Sequence, residues 1–259
     1  MAQNRIDWNG GLQQEAVGLL RAGGKIVVCP TKVGYVILTS DRESLERKFR
    51  VKQRALTKPG VVLCGSMDQL RSLAQLTPEI ERFYQRHWDQ DILMGCILPW
   101  SEEGRKRIPD DGSADLVTDG RGTSCFIIRF GRPGEYVAKA LWDEDRMLTF
   151  ASSANPSGRG NRGLVSGIGE AIDAEADLVI EGDDYVRSIQ PAAAPETRYE
   201  QGVMVSFVDA SGALVPEQGE RRSVRPAPTV IRKGLDIDRI MANLAAQFNS
   251  WDYRHGEYY

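Results

Sequence analysis

Two short apolar runs, at 25–29 and 35–38, are separated only by Pro30-Thr31-Lys32-Val33-Gly34. The first is β-branched and reads as a buried strand; Pro30 breaks it, Thr31 to Gly34 turn the chain, and the second run reads as another strand. Further runs at 61–64, 92–98, 123–130, 147–151, 178–180, 203–208 and 229–231 have the same character. Helical patterns alternate with them. One covers 11–22 and stops at Gly23-Gly24. A basic helix opens at Ser40-Asp41-Arg42-Glu43, which has capping-box spacing from Ser40 to Glu43. Others cover 67–75, 78–88 (with Thr77 as N-cap and Pro78 at the first position), 134–142 and a segment after Gly234. Strands joined here by tight turns and there by helices call for a mixed sheet with helices against it. One domain is expected over 1–241, with a helix end and an aromatic tail over 242–259. Residues 99–122 lack periodicity and read as a long loop, of the length that forms lids. Residues 186–202 are weakly patterned.

The 259 residues suffice for a substantial core, and 41% hydrophobic with 27% charged is ordinary for a soluble protein. A net charge of −3 gives no global reason to expect a nucleic-acid or membrane partner. Any anion site has to come from local clustering. No apolar stretch approaches the ~20 residues of a membrane span, and the N-terminus has no secretory h-region. Cys29, Cys64, Cys96 and Cys125 each stand alone in or beside an apolar run, so they read as buried thiols of a reducing cytoplasm.

Positive charge collects at 47–58, where Arg47, Lys48, Arg50, Lys52, Arg54 and Lys58 face only Asp41, Glu43 and Glu46 nearby. Such a helix is ordinarily a solvated face. Its ending in a turn lets Lys52, Arg54 and Lys58 converge, and converging cations bind phosphate oxygens. A second stretch, Ala151-Ser152-Ser153-Ala154-Asn155-Pro156-Ser157-Gly158, follows a strand with small hydroxyls and an amide. Alone, it is accounted for by an Asn-Pro-Ser-Gly turn; at the carboxyl end of a strand it also lets a ligand approach the backbone. Gly158-Arg159-Gly160-Asn161-Arg162-Gly163 spells G-x-G-x-x-G but neither closes a first strand nor opens a helix, so a glycine loop is the better reading. His87 and His255 lie near no serine or cysteine nucleophile pattern. The carboxylate pairs Asp110-Asp111, Asp143-Asp145 and Asp183-Asp184 read as solvated turns, one of which could hold magnesium.

Taken together, Gly-Gly-Lys-Ile-Val-Val-Cys-Pro-Thr, Lys52-Gln53-Arg54 and Ser153-Ala154-Asn155-Pro156-Ser157-Gly158 resemble the YrdC/Sua5/YciO family. Its marks are a Pro-Thr-Glu turn, a Lys-x-Arg and a Ser-x-Asn-x-Ser-Gly, and order and spacing agree over residues 10–240. The resemblance implies an α/β fold: an open twisted mixed sheet flanked by helices, with a concave basic cleft. It implies a nucleotidyltransferase that makes L-threonylcarbamoyl-AMP and pyrophosphate from L-threonine, bicarbonate and ATP, with Mg2+ on the phosphates, for t6A modification of tRNA position 37. Thr31 would then meet the amino-acid or carbamoyl part, with Lys32 beside it. Lys52 and Arg54 would hold phosphates, helped by Lys58. Ser153, Asn155 and Ser157 would bind the nucleotide, Arg129 would reach the ligand, and Arg232 would bind phosphate. No protein metal ligand is implied. tRNA or tRNA-modification proteins would be further partners, and no membrane is involved.

The chain departs from that pattern on one side. Lys32 stands where the family has glutamate, and Ile92-Leu-Met-Gly-Cys-Ile-Leu replaces a Pro-Gly-x-hydrophobic-Thr run. Nucleotide-side marks are kept and acyl-side marks altered, so the amine is more open to change than ATP. A relative acting on another small amine or carbamate is the second reading. A non-catalytic RNA binder is the third, although the basic residues are not interleaved with the aromatics that stack single strands.

Overall fold

The computed structural model describes residues 4–53, 59–156, 160, 163–194 and 201–254. The strand β1 (Arg5–Asp7) and helix α1 (Gln14–Ala22) lead into a hairpin of β2 (Val27–Thr31) and β3 (Gly34–Thr39). Next come α2 (Arg42–Val51), β4 (Val61–Leu63), α3 (Met67–Leu73), α4 (Pro78–Asp89) and β5 (Met94–Pro99). Two short helices, α5 (Glu102–Arg107) and α6 (Ala114–Val117), precede β6 (Thr123–Ile128), α7 (Arg132–Asp145) and β7 (Thr149–Ser153). The remainder adds α8 (Glu170–Glu175), β8 (Leu178–Glu181), α9 (Asp183–Ile189), β9 (Val203–Ser206), β10 (Thr229–Arg232), α10 (Ile237–Gln247) and β11 (Asp252–Tyr253).

Among the described residues, eleven strands form one open sheet in the order β1-β8-β2-β3-β7-β4-β6-β5-β9-β10-β11. Parallel and antiparallel pairs mix, and helices cover both faces, as the sequence pattern requires. The register assigns side chains to faces. One face carries Val62, Phe126, Cys96 and Val205, packed on α2, α3, α4 and α10, while Val28 and Ile37 of the same face meet α8 and α9. The other face carries Val27, Cys29, Leu38 and Ala151 under α1 and α7. Farther along that second face, Ile97, Cys125, Met204 and Ile231 form a smaller cluster. Val36, Ser153, Val61 and Ile127 share this second face and are only partly buried. They form the partly exposed stretch of this face.

Several local expectations are corrected. Pro30 does not break β2; it pairs with Tyr35, and β8 pairs with β2 only at Val27 and Val28, so the missing N–H faces no ladder. The cap of α2 is Asp41 rather than Ser40: Asp41 accepts from the Ser44 N–H, and Ser44 Oγ reaches back to the Asp41 N–H. The N-terminal strand β1 had too few residues to be visible as a pattern. Residues 183–189, of which 186–189 fall in the weakly patterned stretch, form α9.

Residues 99–122 are not a structureless loop: they hold α5 and α6 and pack on the body. Ser101 caps α5 at the Gly104 N–H, and Glu102–Lys106 and Glu103–Arg107 pair along its exposed side. Trp100 is buried, and its indole donates to Ser124 Oγ at 2.7 Å. Gly104 lies so close to α3 that a Cβ there would stand 2.2 Å from the Leu73 carbonyl oxygen. The segment after 242 contributes Leu244 and Phe248 to the core and β11 to the sheet edge. No helix among the described residues is long and apolar enough to cross a membrane.

If 99–122 is packed wall rather than lid, Gly104→Ala should cost about 1–3 kcal/mol in urea unfolding, because backbone has to move. An unchanged unfolding midpoint would return the segment to the status of a loose loop.

Candidate functional site

The end of β7 and the end of α2 meet through one contact. Lys52 closes α2, is 2% exposed, and its ammonium donates to the Ser153 backbone carbonyl. The same nitrogen lies 3.3 Å from Ser153 Oγ. Ser153 pairs with Val36 across β3, and Thr31 pairs with Gly34 on the other side of that strand, so Thr31 and Ser153 share one sheet face. Thr31 Oγ1 donates to the Gly34 carbonyl at 2.6 Å and accepts from the Val33 N–H at 3.2 Å. One lone pair of that hydroxyl is left for a ligand. Asn155 is 4% exposed; its Nδ2 donates to the Pro156 carbonyl at 2.8 Å, and its Oδ1 has no partner among the described residues. A buried amide oxygen left without a donor is costly, and a ligand donor would satisfy it. Arg54, Lys58 and Ser157 lie outside the described residues, as does most of the 158–163 glycine run.

The basic helix is less cationic in space than in sequence. Arg47 pairs with Glu175 and Asp177, Arg50 with Glu175, and Arg42 with Glu46. Glu46 belongs to α2 itself, whereas the acids on Arg47 and Arg50 come from α8 and the turn after it, more than a hundred residues away in the chain. Burial pushes the Asp177 carboxyl up, but bonds from the Ile26 N–H, Lys25 and Arg47 outweigh it and hold the group below the usual carboxylate range. Lys48 is fully buried, with its ammonium 4.5 Å from the Phe49 ring centroid.

Lys32 and Arg129 belong to a second cluster. Lys32 Nζ donates to the Asp91 carbonyl at 2.6 Å and meets Asp91 Oδ1 at 2.8 Å. Arg129 has φ +52°, a left-handed backbone that costs a non-glycine residue about 1–2 kcal/mol. That backbone delivers its guanidinium onto the Trp88 ring, 3.9 Å from the centroid, and its Nε to the Trp88 carbonyl at 2.9 Å. Glu135 Oε2 lies 3.7 Å from Arg129 Nη1, and Glu135 Oε1 accepts from the Gly131 N–H at 2.7 Å. Burial pushes the Glu135 carboxyl up, against the lowering effects of that N–H, Arg129 and Lys32.

Arg232 ends β10, five strands from β7, and donates to the Gly202 carbonyl at 2.8 Å. It is not a neighbour of Lys52. His87 is buried between the Phe83 carbonyl and Asn243, and burial lowers its pKa to about 4, so it is a core residue. His255 lies outside the described residues. All four cysteines are buried free thiols, and burial raises that of Cys125 to about 12. Two expectations for the acid pairs change: Asp143 and Asp145 lie in α7, and Asp183 accepts from the Tyr35 hydroxyl and the Val165 N–H. Among the described residues no group of three or more His, Cys, Asp or Glu is placed to hold a metal ion.

Asp91, Glu135 and Trp88 escaped the sequence reading. Asp91 follows a helix end in a left-handed conformation, φ +53°, a place where Asp is common. That signal gives position but no partner. The contacts of Glu135 and Trp88 with Arg129 exist only in the fold, and the sequence carries no signal of them.

A family model named Sua5_yciO_yrdC, described as telomere recombination, matches residues 19–192, more than half of the chain. The crystal structure of a hypothetical protein, smu.1377c, from Streptococcus mutans UA159 is 59% identical, with 100% of each chain covered and a TM-score of 0.93. Sua5 of P. abyssi, in complex with L-threonine, is 19% identical at TM-score 0.61, covering 93% of this chain and 61% of that one. E. coli YciO is 17% identical at TM-score 0.62, with 91% and 97% covered. These last two likenesses are of fold. No curated protein matches the sequence. The chain belongs to the Sua5/YciO/YrdC family.

The raised Glu135 pKa has a measurable sign. A folded state that holds this proton more tightly than the unfolded chain is favoured fully below the unfolded carboxyl's range, and the advantage is lost as pH rises through the raised value. Glu135→Gln keeps an acceptor for Gly131 and cannot ionise. Its Tm should gain on that of the parent protein as pH is raised from acid to neutral; parallel Tm profiles would show that Glu135 titrates as an ordinary carboxylate.

Proposed function

We propose that this member of the Sua5/YciO/YrdC family condenses a small amine, bicarbonate and ATP into an N-carbamoyl adenylate, with L-threonine as the default amine. The product would be L-threonylcarbamoyl-AMP, the donor for t6A at tRNA position 37. The observation that carries the reading is the buried Lys52 ammonium held at Ser153, with the unsatisfied Asn155 amide oxygen two residues on, beside an uncovered stretch of sheet. A relative solved with L-threonine supports an amino acid as the small-molecule substrate.

The chemistry asks for positioning and positive charge. The amine and bicarbonate give a carbamate and water. A carbamate oxygen then attacks the α-phosphorus of ATP, and the bond to the leaving pyrophosphate breaks. No protein nucleophile is needed. Lys52, and Arg54 two residues on in sequence, would meet the phosphate oxygens; Thr31 would offer its free lone pair to the amine end; Asn155 Oδ1 would accept from the adenylate part. Magnesium would arrive on the phosphates as part of the substrate and neutralise their charge.

A different amine is the second reading, favoured by Lys32 at the amine end. Pyrophosphate release with ATP, bicarbonate and single amino acids decides between them. Release with threonine supports the first reading, and release only with another amine selects the second. No release with any amine, alongside salt-sensitive tRNA binding, overturns both in favour of a non-catalytic RNA binder. Lys52→Ala should weaken ATP binding by about 1.5–3 kcal/mol, the worth of a charge-assisted bond, in equilibrium dialysis. Unchanged nucleotide affinity would take Lys52 out of the site.

A further inference from the structure

The turn between β2 and β3 holds a buried cation whose carboxylate partner faces solvent. The Lys32 side chain is 9% exposed, whereas that of Asp91 is 67% exposed. Only Asp91, among the described residues, presents a carboxylate to this ammonium within ion-pair distance. The same Asp91 Oδ1 lies 3.7 Å from Arg129 Nε. Both cations are held in place. The Lys32 N–H donates to the Phe130 carbonyl at 2.9 Å, and the Lys32 carbonyl accepts from Gln190 Nε2 at 2.7 Å. Arg129 is stacked on Trp88. Glu135, on the far side of Arg129, is committed to the Gly131 N–H. With Asp91 in place, two cations meet two carboxylates. With Asp91 turned into water, Glu135 stays opposite Arg129 and the charge left over is the well-buried Lys32 ammonium.

We propose that Lys32 and Arg129 form a carboxylate-binding subsite which Asp91 fills from within the chain, and that the acid group of a small ligand, an amino acid, takes Asp91's place. The proposal rests on the preceding reading only for the ligand being the amine substrate. An exposed carboxylate contributes little to its pair, so Asp91 is easily displaced. The incoming acid meets donors already fixed in position and gains charge-assisted hydrogen bonds. The Asp91 backbone carbonyl continues to accept from Lys32 throughout the exchange. A glutamate at position 32 would repel the same ligand group. The carboxylate taken can be the α-carboxylate of any amino acid or the second acid of an acidic one.

Calorimetric titration of the full chain without nucleotide tests this, using L-threonine, L-threoninol and L-glutamate. The amino acids should bind and threoninol should not. Asp91→Asn should tighten acid binding about tenfold if Asp91 fills the subsite roughly nine-tenths of the time. Asp91→Gly removes the carboxylate while suiting the left-handed backbone, and should do the same should the Asn variant fold poorly. Lys32→Gln should abolish binding. Tighter binding of glutamate than of threonine assigns the subsite to a second acid; equal binding assigns it to the α-carboxylate. Failure of both Asp91 variants to tighten binding, unaltered binding by Lys32→Gln, or no acid binding to any form overturns the proposal. Acid binding without pyrophosphate release would sink the enzymatic reading and leave this subsite standing.

Discussion

A single sheet of eleven strands has two large faces to remove from water, and the helices available do not cover them equally. One face is packed continuously, by α2, α3, α4 and α10 over one part and by α8 and α9 over the other. On the opposite face α1 and α7 cover the strands from β8 to β4, and the strands from β6 to β10 keep only a small apolar cluster. Between the two lies the seam where Val36, Ser153, Val61 and Ile127 stay partly exposed. Apolar burial is the main stabilising term in folding, and the continuously packed opposite face together with the α1 and α7 cover supplies it while the seam stays partly exposed. The same seam gives a ligand access to strand ends and backbone groups.

Charge follows the same division. Lys52 ends a helix on the covered face, yet its side chain reaches the carbonyl at the end of β7 and so faces the seam. Arg47 and Arg50 of α2 are tied to acids of α8 and its following turn, and they join layers instead of presenting a patch. Apart from Lys52, the positive groups on this side are Lys32 and Arg129, held by a helix end, an aromatic ring and two carboxylates. The two clusters therefore differ in kind. One offers a buried ammonium beside an unsatisfied amide; the other offers cations already paired with an exchangeable acid.

Much of the frame was legible because it is local. The hairpin of β2 and β3, the Thr77 cap before Pro78, and the Gly23 stop of α1 follow from nearest neighbours in sequence. The motif residues Thr31, Ser153 and Asn155 could be named for the same reason. What was misread depended on distant partners. Pro30 stays in a strand because its missing donor faces an unpaired edge. Residues 99–122 look like a loop in sequence and become a wall because Gly104 fits against Leu73. The basic helix loses most of its surplus charge to Glu175 and Asp177.

The sequence by itself determined the alternation of strands and helices, the mixed character of the sheet, and the family motifs, since these rest on periodicity and short spacings. Only the tertiary structure decided which face stays open, which cations remain available to a ligand, and that Asp91 sits on Lys32. Those depend on groups fifty to more than a hundred residues apart meeting at hydrogen-bond distance, and no pattern of neighbours along the chain encodes such a meeting.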